Sequence, residues 1–296
     1  SRSAVDDLVV VIAVAHLSPS FGSHLLIIML SLILVLLIDY VQSSTILYDG
    51  RIPMGFKPMD FDTDSSPYMT NSAQPLSDII NTDQMTSSLF DADRYQSFQI
   101  EINDQSRYPS TPGFRRVDLS PKLTADITTG RTSYHFSVRK NTGKPLNMLH
   151  QYELVVIEAC DYKPIFELRY GTDWTNTTSS DYDENANRLR IIGTFSECGY
   201  TIPLYQVEFT PDLFHNFAIT IDWEEEKLSI YYSCDNNALS QVVAPIPNPV
   251  KTPAKLNIGL VKYPIGVTSN PALDGYQEDN INEAVIYGGV FVEDSR

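Results

Sequence analysis

Four apolar residues spaced two apart, Phe217, Ile219, Ile221 and Trp223, alternate strictly with Ala218, Thr220 and Asp222. After the charged turn Glu224-Glu225-Glu226-Lys227 the alternation resumes as Leu228, Ile230 and Tyr232. A period of two sorts side chains onto opposite faces of an extended strand, so this stretch reads as a β-hairpin with one buried face. The same period recurs at residues 95–102 and at 131–140, where Tyr134, Phe136 and Val138 oppose Ser133, His135 and Ser137. Further strands are expected at 205–210, 256–261 and 281–292. No apolar face at i, i+3, i+4 spacing interrupts them. Strands separated by turns, without helical patterns, predict the all-β class: an antiparallel β-sandwich or jelly roll.

Residues 150–171 hold the feature that calls for a chemical explanation. Leu154 and Val156 alternate with Val155 and Ile157, a run apolar on both faces, and Glu158 follows where another valine would be expected. A carboxylate in an apolar strand is costly unless it is paired or faces a wetted cleft. A structural ion pair with Arg116 or Arg169 is one explanation, and catalysis is the other. Period-two geometry also puts Phe114, Arg116 and Asp118 on a single face, a cation beside a carboxylate.

The chain of 296 residues, 43% hydrophobic, is long enough for one full core plus an N-terminal tail. Its net charge of -16 and lack of Lys/Arg clusters argue against nucleic acid as a partner. Cys160, Cys198 and Cys234 allow at most one internal disulfide. With no CxxC or HExxH, no metal and no cofactor is expected. Residues 25–38 are apolar apart from Ser31 and have the length of a signal-peptide core, with Val41 and Ser43 suited to a cleavage site. The division expected is a signal peptide or N-terminal extension over 1–44 and a domain over 45–296, with the mature chain starting near Ser44 or Thr45. The few positive charges before the run (Arg2, His16, His24) and the absence of an initial Met leave an over-extended start or a fragment open. A single membrane anchor is the alternative. Asn176-Thr177-Thr178 is a glycosylation sequon in the polar segment 172–188, which makes Asn176 a candidate glycan carrier. Residues 52–94 show no period and are of a length suited to walling a cleft.

Several pieces in order carry a resemblance. They are Leu47-Tyr48-Asp49-Gly50-Arg51, Arg116-Val117-Asp118-Leu119, Tyr134-His135-Phe136-Ser137-Val138 and His150-Gln151 leading to Glu158. Glu167-Leu168-Arg169-Tyr170-Gly171, Val207-Glu208-Phe209-Thr210 through His215-Asn216, and Ile258-Gly259-Leu260 complete the series. Over residues 48–293 this pattern resembles the fungal glycoside hydrolase family 131, secreted β-glucan-degrading enzymes with a β-jelly-roll fold. The resemblance implies hydrolysis of β-1,3-, β-1,4- and β-1,6-linked glucans with inversion, by a secreted monomer with no stable membrane association once the signal is removed. It implies that the family's acidic pair falls on Asp118 and Glu158 and its cleft histidine on His215. Arg116 matches the family arginine, and His150 and Gln151 match a pair just before the catalytic strand. Tyr134 is a candidate for sugar stacking, with core packing as its other reading.

Glycoside hydrolysis needs one protonated and one ionised carboxyl astride the bond. Glu158, among apolar neighbours, suits the acid, and Asp118, beside Arg116, suits the base. Asp118 stands where the family has Glu, and a misplacement on the order of 1 Å can cost about a hundredfold in rate. The same shortening widens the gap for a water. The rival readings are a jelly roll that binds carbohydrate without cleaving it and a secreted structural protein.

Overall fold

The computed structural model describes residues 44–295 apart from 71, 84, 175–182, 195–201 and 267. The expected signal run and the Asn176 sequon lie outside these residues. The chain divides into two units, 1–43 and 44–296. Among the described residues no helix is long and apolar enough to cross a membrane.

The second unit is built almost wholly of strands. In chain order they are β1 (Ile46–Asp49), β2 (Ile52–Pro53), β3 (Tyr68–Thr70), β4 (Ile80–Asn81), β5 (Tyr95–Gln96), β6 (Phe98–Asn103), β7 (Arg115–Pro121) and β8 (Arg131–Lys140). They continue as β9 (Gln151–Ala159), β10 (Pro164–Gly171), β11 (Arg188–Gly193), β12 (Tyr205–Glu208), β13 (His215–Asp222), β14 (Lys227–Cys234), β15 (Ser240–Pro247), β16 (Ala254–Lys262) and β17 (Asn282–Asp294). One large sheet has the order β15-β14-β13-β8-β17-β6-β4, with β1 also paired to β17; the other runs β12-β11-β10-β9-β16-β7-β3, and β2 pairs with β5 as a separate two-stranded ribbon. The pairings within both sheets are antiparallel. This is the β-sandwich of a jelly roll.

The alternation fixes which faces meet. Phe217, Ile219 and Ile221 of β13, with Phe136 and Val138 of β8, join Phe166 and Leu168 of β10 and Ile258 and Leu260 of β16 in one buried cluster. Rings cross the interface: Phe136 stacks on Phe166 with centroids 6.3 Å apart, and Tyr68 meets Phe98 at 5.8 Å. Each buried apolar side chain of this size stabilises the fold by about 1.5–3 kcal/mol relative to exposure, so the shared cluster is what holds the two sheets together.

Residues 52–94 are less irregular than their composition implies. Phe61, Tyr68, Leu76, Ile79 and Ile80 all enter the core, and two short 3-10 turns, Pro58–Asp62 and Leu76–Asp78, connect them. β3 extends one sheet along β7, and β4 extends the other along β6. The segment therefore closes one flank of the sandwich, and β3 places Thr70 next to the strand that carries Asp118.

Candidate active site

The outward face of the β9–β16–β7 sheet carries the chemistry. On β16, Gly259 lies opposite Asp118 and Val261 opposite Arg116. Across its other edge Val261 faces Glu153, Asn257 faces Val156 and Lys255 faces Glu158. On the far side of β9, Glu167 pairs with Val156 and Arg169 with Glu153. Asp118, Arg116, Glu153, Glu158, Glu167 and Arg169 consequently share one face. Strict alternation would send Glu153 and Glu158 to opposite faces. A bulge at Leu154 breaks the phase: Val155 and Glu153 pair with consecutive residues of β10, and both Leu154 and Val155 enter the core. Gly259 is required by close approach, because a Cβ there would lie 2.0 Å from the carbonyl oxygen of Val117.

Two of the carboxylates are matched to guanidinium groups. Arg116 Nε donates to Asp118 Oδ2 at 2.6 Å, and Asp118 is 4% exposed. The Arg116 guanidinium also sits 5.4 Å from the centroid of the Tyr108 ring. Arg169 grips Glu167 with two bonds of 2.9 Å and donates a third, of 3.0 Å, to Asp173. Bidentate guanidinium pairs of this kind fix geometry as well as charge. Glu153 has no such partner among the described residues; its nearest polar contact is the Tyr263 hydroxyl, 3.4 Å from Oε2. Burial, reinforced by the charges of Glu167 and Asp118 and opposed by Arg116, pushes the Glu153 carboxyl up to about 8. Burial also raises Glu158, with Arg116 and Lys255 opposing and Asp118 adding.

The ends of the face are different in character. At one end Gln151 Oε1 accepts the backbone N–H of Trp174 at 2.8 Å, and the Trp174 ring, 39% exposed, lies 6.4 Å from Tyr263. At the other end Ser120 donates to Asn257 at 2.6 Å beside a cavity of about 540 Å³ lined by Met69, Thr70, Leu123 and Lys255. A polar floor between an exposed indole and an open, partly apolar cavity is suited to an extended, hydroxyl-rich ligand. Among the described residues no three His, Cys, Asp or Glu side chains converge as metal ligands.

Residues 46–296 match the family described as the glycoside hydrolase 131 catalytic N-terminal domain. The chain belongs to glycoside hydrolase family 131. Its fold is similar to that of a family 131 β-glucanase catalytic domain from Podospora anserina, with a TM-score of 0.67 at 23% identity over 85% of this chain and 97% of that one. The catalytic domain of a family 131 protein from Coprinopsis cinerea superposes with a TM-score of 0.63 at 19% identity, over 84% of this chain and 94% of that one. No curated protein matches the chain.

In this family 131 domain the residues expected from sequence do not all meet. Asp118, Arg116, Glu158 and Gln151 come to the same face. His215 does not. It begins β13 on the opposite sheet and shares the inward parity of Phe217 and Ile219, enclosed at 1% exposure. Its Nδ1 lies 2.9 Å from the Tyr232 hydroxyl and its Nε2 lies 3.1 Å from Thr210 Oγ1. Burial lowers its pKa to about 4, so it is a neutral core histidine and the expected catalytic role is corrected. Tyr134 is corrected in the same way: it packs on Phe166 at 6.0 Å, and its hydroxyl donates to the Ile127 carbonyl.

His150 is fully buried behind the face, with Nδ1 2.7 Å from the Tyr263 carbonyl and Nε2 2.8 Å from Glu278 Oε2, a contact not aligned as a hydrogen bond. It supports the loop that carries Tyr263 and has no surface to offer a sugar. Arg169, considered as a partner for Glu158, binds Glu167 and Asp173 instead. Cys160 and Cys234 are free thiols, and Cys198 lies outside the described residues. Glu153, the Glu167–Arg169 pair and Trp174 are site residues that alternation alone did not mark. Trp174 did carry a signal, being one of only two tryptophans and standing in a polar segment.

Proposed function

We propose that this chain is a secreted β-glucanase that cleaves its glycosidic bond by single displacement with inversion. The observation that carries the reading is the convergence of Asp118, with its Arg116 partner, and Glu158 on one outward face in a family 131 domain. Polar and charged side chains gathered on an outer sheet face are stable where that face is a wetted cleft. A β-glucan fits the site's shape and chemistry: an open floor of hydrogen-bonding groups, an exposed indole for stacking, and two carboxyls with different surroundings. The description of the similar Podospora anserina domain as a β-glucanase adds to this reading.

In the mechanism, burial favours the neutral form of Glu158, and in that form it gives its proton to the leaving glycosidic oxygen. Asp118, oriented by Arg116, takes a proton from the water that attacks the anomeric carbon from the opposite side. Asp118 faces Gly259 and Glu158 faces Lys255 from the strands on either side of β16, so the two are offset by roughly 13 Å along the strand and by about 10 Å across it before their side chains extend toward each other. That spacing favours the wide pair of inverting enzymes, roughly 6.5–9.5 Å between carboxyls, over the about 5–5.5 Å of retaining ones. In this scheme Gln151 fixes the backbone beneath Trp174, and Trp174 stacks on a sugar ring. The run at 25–38 directs secretion and is removed, and Asn176 carries a glycan.

Incubating the mature domain with laminarin and carboxymethyl-cellulose and assaying new reducing ends tests this directly. Release from either substrate supports hydrolysis. Binding without release would favour a non-catalytic carbohydrate-binding role, in which the shorter Asp118 has left the cleft able to hold glycan but not to cleave it.

A further inference from the structure

We propose that Glu153 is a further substrate-binding residue of this cleft: a carboxylic acid that works in its neutral form, its O–H donating to a glucan hydroxyl, and whose ionisation weakens binding. The proposal rests on the β-glucanase reading and adds a group that the acid–base pair does not use.

Geometry is its first support. Glu153 sits in the middle of the face, opposite Val261 on one side and Arg169 on the other. The charged groups around it come from both sides of β9: Arg116 and Asp118 on β7, beyond the apolar Val261 of β16, Glu167 and Arg169 on β10, and Glu158 on its own strand. Among the described residues Tyr263, just past β16, donates the hydroxyl contact to Glu153. The two guanidinium groups nearest to it are already committed, Arg116 to Asp118 and Arg169 to Glu167 and Asp173. A third carboxylate placed between two paired ones would meet two like charges with no cation of its own, whereas a neutral acid there meets two acceptors and has a proton to donate.

The bulge is the second support. Leu154 is the extra residue that turns Glu153 outward; without it, alternation would bury this side chain between the sheets. Glu153 retains some exposed surface as a residue while its carboxyl is shielded. A side chain placed this way costs stability when ionised, and no ion pair among the described residues recovers that cost. Donation to a bound ligand gives the arrangement a use. A sugar hydroxyl both donates and accepts, so it can accept a hydrogen bond from the Glu153 O–H and still donate to the neighbouring Asp118 or Glu167 carboxylate.

The test is binding of β-1,3- and β-1,4-glucan pentasaccharides by calorimetry from pH 5 to 9, in protein carrying Glu158→Gln so that bound sugar persists. With Glu153 intact, affinity should hold to about pH 8 and then fall about tenfold per pH unit, as required for a group that must keep its proton. Glu153→Gln, which cannot ionise but keeps a donor, should abolish that fall up to pH 9. Glu153→Ala should weaken binding at pH 5 by about tenfold or more. An alkaline fall that persists in Glu153→Gln overturns the proposal. So does pH 5 binding unchanged in Glu153→Ala; if that variant does not fold, the near-isosteric Gln variant decides alone. Failure of the intact protein to bind either sugar at any pH defeats the β-glucan reading itself, whereas binding without a Glu153-dependent fall overturns only this inference.

Discussion

The two outer faces of the sandwich are both polar, but they carry different groups. On the β8–β13–β14 face, Ser133 shares a 2.6 Å hydrogen bond with Thr220, Ser137 donates to Asn216 at 2.7 Å, and Asn216 donates to Ser233 at 3.1 Å. Short neutral groups there satisfy one another across the strands. On the β7–β16–β9 face the side chains are charged: two carboxylates hold guanidinium groups, Glu158 faces Lys255 without an ion pair, and Glu153 has no cation of its own among the described residues. A self-satisfied network is finished as structure, whereas carboxyls held without partners have chemistry left for a ligand. Exposed polarity alone does not mark a site; unmatched charge on a shared face does.

Substitutions on the two faces should therefore differ by orders of magnitude. The largest effect is expected for Glu158→Gln, which keeps the shape of the acid but removes its proton. Turnover of laminarin should fall by about a hundred- to ten-thousandfold while binding persists, as measured by reducing-end assay and calorimetry. Full activity in that variant would erase the distinction between the faces. Gly259→Ala comes next. Its new methyl would press on the Val117 carbonyl and displace the strand bearing Asp118, at a cost of about 1–3 kcal/mol in chemical denaturation and with a loss of activity out of proportion to it.

Trp174→Ala should raise KM about tenfold with kcat little changed, since stacking far from the bond contributes about equally to ground and transition states. A KM within twofold of the parent would remove Trp174 from the cleft. The smallest effect belongs to the other face. Thr220→Ala should cost about 1 kcal/mol in stability and leave kcat/KM unchanged within twofold, because Ser133 keeps a bond of 2.6 Å from Ser295.

The faces should also differ in how they respond to pH. The Glu153 carboxyl is raised in the folded chain from an ordinary value of 4.5 to about 8, so the folded state holds a proton that the unfolded state has released between those values. The stability linked to this group is full below about pH 4.5 and is lost as pH rises through about 8. Thermal denaturation across that window should show a decline that Glu153→Gln flattens. His215 acts in the opposite direction: lowered to about 4 from 6.5, it costs stability as pH falls through that interval.

How much of this was legible in the sequence follows from where alternation holds. β8 and β13 keep period two without interruption, and their inward and outward sets were readable residue by residue. Asp118 and Arg116 were readable for the same reason, being two apart on a regular strand. Glu153 was not, because the Leu154 bulge shifts the phase in mid-strand and no local residue signals it. His215 illustrates the converse: the resemblance assigned it to the cleft, while its own parity with Phe217 and Ile219 placed it in the core. The flank built by residues 52–94 was hidden because its core residues, Phe61, Tyr68 and Ile79, are anchored by tertiary packing and follow no local period.

In the proposed mechanism Asp118 and Glu158 act from the same face as a widely spaced inverting pair. Proton NMR of the first-formed product from laminarin, recorded before mutarotation, tests it most directly. Inversion at a β-linkage predicts that the α-anomer appears first and the β-anomer grows in only later. A β-anomer formed first would require a close-set nucleophile and a covalent intermediate, and would rule out the widely spaced pair.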